Sequence, residues 1–110
     1  MATSPKFIQM IEHLATATEQ GRLAWGEDDD DTFLARLTRA MVRISQGRDG
    51  DYYVTLYDGT GKVLELETFS STENKEHYAP VDRLYSLARR DAYKIDEVID
   101  QVILDVSPRR

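Results

Sequence analysis

The sequence predicts an α+β domain: an N-terminal helix, a four-stranded antiparallel meander, and one or two C-terminal helices packed on one sheet face. Three observations carry this. Towards both ends the apolar residues recur every three to four positions, the spacing of one helix face. Between them they alternate, the spacing of a strand with one buried face. Short turn-forming stretches such as "DGTG" separate the alternating blocks and favour hairpins over crossovers. With 110 residues, the helices and strands are expected to share one core in a single domain spanning residues 1–110.

The first helix is predicted over 4–21. Ser4 can cap it, Pro5 suits the first helical position, and Gly21 sits where a left-handed cap belongs. Phe7, Ile8, Ile11, Leu14, Ala15 and Thr18 share one face. Glu12 and Glu19, with Lys6 the one base inside the helix, favour core packing over a membrane surface.

Strands are predicted over about 32–38, 41–46, 51–58 and 62–69. Phe33, Ala35 and Leu37 alternate with Leu34, Arg36 and Thr38; Val42 and Ile44 alternate with Met41, Arg43 and Ser45. "DGTG" suits a type I turn with Gly61 in the left-handed bulge position. Pairing Asp58 with Lys62 then sets Tyr57 opposite Val63, Leu56 opposite Leu64 and Val54 opposite Leu66. Tyr53, Thr55 and Tyr57 fall on the other face beside Glu65 and Glu67.

The polar stretch "SSTENKEHYAP" reads as a loop, and Pro80 opens a helix over about 80–92 whose face carries Val81, Leu84, Tyr85, Ala88 and Ala92. The stripe breaks near Tyr93 and Lys94. Ile95, Val98, Ile99, Val102, Ile103 and Val106 predict a segment over about 95–106, with Asp96 as its cap and Ser107 and Pro108 as its stop. Two helices or one bent helix would both satisfy this pattern.

Composition narrows the function classes. A chain that is 41% hydrophobic and 31% charged is an ordinary globular one. No apolar run approaches a membrane span, and "MATSPKFIQM" lacks a basic stretch leading into an apolar one, so a cytoplasmic location is expected. Without cysteine there are no disulfides, thiolate nucleophiles or sulfur-ligated metal sites. A net charge of -6 argues against general nucleic-acid binding. His13 and His77 have no partner at ligand spacing.

"WGEDDDDTF", Trp25 to Phe33, reads as a connection anchored by its aromatics, with Glu27 to Asp31 solvated between them. A calcium loop would need alternating ligands and a glycine that are absent, and nothing selects magnesium; a lure for a basic partner is the remaining alternative. Glu65 and Glu67 lie on one strand face about 7 Å apart, a distance catalytic acids could use but also the pattern of a solvated strand. "DGTG" has no Lys-Ser/Thr leading into a helix, so it is no phosphate loop. Arg89 and Arg90 complement a helix C-terminus. No catalytic, metal or cofactor-binding residue is assigned, and no cofactor is expected.

The exposed strand residues point further. Tyr53, Tyr57, Arg36 and Arg43, joined by Met41 and Val63, would share one sheet surface, more apolar than solvation alone requires. Such a surface suits a protein contact or a stacked planar ligand. Trp25 with Phe33, Ala35 and Leu37, then Val42 and Ile44, then "DGTGKVLE" and "LYSLARRDAYKIDEVIDQVI" resemble a small bacterial α+β protein type. The resemblance implies that fold and a bacterial or phage origin; it brings no activity and no site residue. The expectation is a non-enzymatic interaction or regulatory module, homodimeric through the sheet face or a helix face, with no membrane partner. The alternative is a small-molecule binder, nucleotides included, using the Tyr/Arg face.

Overall fold

A computed structural model describes residues 4–72 and 75–108. The described residues form α1 (Pro5–Glu19), β1 (Gly26–Asp29), β2 (Thr32–Arg36), β3 (Ala40–Gln46), β4 (Tyr52–Asp58), β5 (Val63–Phe69), α2 (Lys75–Ala92) and α3 (Ile95–Val106). The strands make one antiparallel sheet in sequence order, a plain meander.

The first helix starts and stops where its residues dictate. Ser4 Oγ accepts from the Phe7 amide at 3.2 Å. At the far end Gly21 takes φ +76°, and the Arg22 amide donates to the Ala17 carbonyl at 2.8 Å. Phe7, Ile11, Leu14, Ala15 and Thr18 are buried. They meet Phe33, Ala35, Val42, Ile44, Tyr52, Val54 and Phe69 from the sheet and Val81, Leu84, Tyr85 and Ala88 from α2. Thus α1 and α2 form one layer over one sheet face.

Four expectations are corrected. The sheet has five strands, because Gly26–Asp29 pairs with β2, Gly26 against Leu34 and Glu27 against Phe33. A backbone ladder needs no apolar side chain, and Asp31 at φ +55° supplies the tight turn; Asp tolerates that region better than most residues. The acidic stretch is therefore an edge strand and turn, not a free connection.

The DGTG turn forms as expected, with Gly61 at φ +92° and the Asp58 amide donating to the Lys62 carbonyl at 2.9 Å. Beyond Tyr57, opposite Val63, the ladder slips by one residue. Leu56 faces Glu65, Val54 faces Glu67 and Tyr52 faces Phe69, instead of the expected Leu56–Leu64 and Val54–Leu66 pairs. The slip turns Phe69 inward, where it is fully buried with its ring centroid 6.4 Å from that of Phe7. One aromatic in the core outweighs two leucines at the sheet's rim. Tyr53, Thr55 and Tyr57 consequently share their face with Thr68, Leu66 and Val63 rather than with Glu65 and Glu67.

Helix α2 begins at Lys75, leaving Pro80 inside it. Glu73 and Asn74, read with the preceding loop, lie outside the described residues, as do Met1 to Thr3. Pro80 removes one helical hydrogen bond, yet Tyr78 anchors the early turns: its hydroxyl donates to the Gly50 carbonyl at 3.1 Å, and its ring lies 5.2 Å from Tyr52. Tertiary contact overrides the local signal.

The last correction concerns α3. It is a separate helix, as the broken stripe allows, but it is not packed on the sheet: none of its residues is buried. Lys94, in the left-handed region at φ +54°, redirects the chain, and no side-chain cap from Asp96 is made; Asp96 instead pairs with Arg90. The described chain is accordingly elongated, 61 × 33 × 24 Å.

Candidate interaction surfaces

The open face of the sheet gathers the predicted surface residues through strand alternation. The observed register lines up Arg36, Met41, Tyr57 and Val63 across four strands, and Leu34, Arg43, Thr55 and Leu66 in the next row. Tyr53 follows beside Ser45 and Thr68. All six expected residues, Tyr53, Tyr57, Arg36, Arg43, Met41 and Val63, therefore share this face. Its groups are partly occupied by one another. Arg43 Nε stands 3.0 Å from Asp28 Oδ2, an ion pair off the alignment of a hydrogen bond. Arg36 reaches the Met41 sulfur at 3.7 Å. The Tyr53 ring lies so close to Gly47 that an added Cβ would come within 2.9 Å of it.

The acidic strand also contributes to internal contacts. Glu27 Oε2 accepts from the Tyr93 hydroxyl at 2.6 Å, and the Asp31 carbonyl accepts from that of Tyr85 at 3.3 Å. Trp25 joins three elements. Its indole N–H donates to Thr18 Oγ1 at 2.8 Å, and its amide donates to Asp91 Oδ2 at 2.7 Å.

The shifted titrations belong to structural contacts. Burial, then the hydrogen bond to Asp82, pushes the Tyr52 hydroxyl well above its ordinary range. Burial likewise raises Tyr85, and the hydrogen bond to Glu27 raises Tyr93. The Thr60 hydroxyl, then the turn amides, hold the Asp58 carboxyl below its usual range. His77 Nε2 lies 3.8 Å from Glu76 Oε1 on α2. Among the described residues, no three His, Asp or Glu side chains are grouped to hold a metal. No described helix is long and apolar enough to cross a membrane.

Two further surfaces were missed, the first by reading α3 as core and the second because it joins distant stretches of the chain. Ile95 is half-buried at the junction, whereas Val98, Ile99, Val102 and Ile103 are each about half exposed and Val106 is 75% exposed. At 100° per residue these six form a stripe about 140° wide. Asp96 and Asp100 border one side and Asp105 the other. The second surface is an apolar groove of about 450 Å³ between α1 and the β2–β3 turn, floored by Met10, Leu14, Leu37, Val42 and Leu56. It continues past Leu37 towards Leu23 and Arg22.

Sheet width was the signal that a third helix would not fit. Strands about 4.8 Å apart make a five-stranded face roughly 20–24 Å wide, which two helices about 10 Å apart cover. Comparison of the chain with protein-family models, with curated proteins and with solved structures returned no match.

Proposed function

We propose that this chain is a small non-enzymatic protein-interaction module that acts as a homo-oligomer. The observation that carries the reading is α3, a twelve-residue helix with an apolar stripe and no buried residue. Isolated helices this short are marginal in water, and an amphipathic one gains its stability by covering its apolar face. The open sheet face, with Val63 and Leu66 both more than half exposed, adds further apolar surface. The tyrosine hydroxyls whose titration is raised are tied into internal contacts, which supports a structural rather than a catalytic use for them.

Light scattering after size-exclusion chromatography tests the reading. The expected result is a defined oligomer that Val102→Asp converts towards monomer while circular dichroism stays native. A parent chain that is monomeric throughout a concentration series would refute it. The nucleotide-stacking alternative is less favoured because Arg43 already faces Asp28, leaving Arg36 as the remaining arginine of the face for a phosphate. A nucleotide panel that raises the melting temperature would reverse that order.

A further inference from the structure

We infer that α3 of one copy docks in the α1–β2/β3 groove of a second copy, and reciprocally, forming a two-fold exchange dimer. This rests on the interaction reading above and names its partner and contact. The two surfaces match in kind. The groove is apolar and concave, and α3 offers an aliphatic ridge roughly 18 Å long, the arrangement by which amphipathic helices are held in grooves.

Their charges also match. Asp96, Glu97, Asp100 and Asp105 make α3 acidic, with no base inside the helix. The groove is lined by Arg39 at one end and by Arg22 and His13 at the other. Among the described residues neither arginine makes an ion pair; Arg22 Nε donates to the neutral Gln20 amide oxygen at 2.8 Å. Two acids oppose this arrangement: Glu65, facing the helix layer beyond Leu56, and Asp58, opposite Ala40 at the groove's edge, whose carboxylate is engaged by the Thr60 hydroxyl and the turn amides.

The other occupants fit less well. Pairing α3 with α3 would set acids against acids along both flanks of the seam, where like charges are unfavourable. One pair of twelve-residue helices also buries far less than the roughly 1,600 Å² of a standard interface, whereas reciprocal exchange makes two contacts. The open sheet face has a hollow lined by the acids Glu27 and Asp28, which would oppose an acidic helix, and its Arg43 is already paired. Docking of α3 in its own groove would require breaking the junction, where Arg90 pairs with Asp96 and the Val98 amide donates to the Lys94 carbonyl at 3.0 Å.

The absence of cysteine makes disulfide trapping in the full-length chain a clean test. Leu37 is 43% exposed and Val102 53%, so cysteine at either position leaves the core intact. Chains carrying Val102→Cys are mixed with chains carrying Leu37→Cys and oxidised; a disulfide dimer that forms much faster in the mixture than in either alone is expected. Rapid dimer from Val102→Cys alone means α3–α3 pairing, and preferential trapping with Tyr57→Cys means sheet docking; either overturns the exchange while leaving the oligomer reading intact. A closed disulfide within a monomer carrying both Leu37→Cys and Val102→Cys overturns it too. Monomer at every concentration overturns both readings. Arg22→Glu with Arg39→Glu should weaken the dimer about tenfold, and an unchanged dissociation constant overturns the exchange.

Discussion

Helices α2 and α3 are separated by two residues and are both amphipathic, yet only one is covered. The eighteen residues of α2 include three large aliphatics, Val81, Leu84 and Leu87, and two of these are fully buried. The twelve residues of α3 include seven, and none is buried. The more apolar helix is thus the more exposed one. An apolar stripe states that a helix needs a partner; whether its own sheet supplies one depends on width, and α1 and α2 already occupy this sheet's helix layer.

That contrast is sharpened first at Trp25, which ties the end of α1 to the end of α2. Trp25→Ala should cost about 3–5 kcal/mol in denaturant unfolding, from lost ring burial and the lost indole hydrogen bond to Thr18, while the backbone amide still donates to Asp91. Next, Leu84→Ala in α2 should cost about 2–4 kcal/mol, whereas Ile103→Ala in α3 should cost no more than about 0.5 kcal/mol in samples dilute enough to be monomeric. Equal losses there would break the comparison by making α3 part of the core.

A third measurement follows protons. Tyr52, Tyr85 and Tyr93 have raised folded-state values, so from about pH 10 upward the unfolded chain releases protons that the native chain keeps. Their contribution is fully present below that pH and is lost as pH rises towards the folded values. Stability should fall in this alkaline window, and Tyr52→Phe should flatten the decline in a pH series of melts. The smallest effect belongs to the acidic end of β1 and its turn: Asp29→Ser with Asp30→Ser should shift stability by no more than about 0.5 kcal/mol, since both residues are exposed.

Much of this fold was legible because it rests on local rules. The caps of α1, the turn at Gly61 and the alternation through Phe33, Ala35, Val42 and Ile44 are each written in neighbouring residues. Three features were decided at longer range. The ladder of β1 forms through backbone groups that composition does not display, so its three acids looked like solvent-facing loop. Tyr78 reaches Gly50 and Tyr52 to hold the helix ahead of Pro80. Burial of Phe69 sets the β5 register against the local apolar pairing. For the surface, alternation placed all six sheet residues on one face, but the groove needs α1 and Leu37 together, which no single stretch of sequence contains.

The slip in β5 has a consequence for the sheet's open ladders. By turning Glu65 and Glu67 towards the helix side, it gives the outer strand inward-pointing carboxylates, and the opposite border is the strand "GEDD". A foreign strand annealing to either border would have to desolvate or crowd those charges, a common protection against runaway fibril growth. A molecule that displays aliphatic surface on a helix thereby remains guarded where indiscriminate backbone pairing would begin.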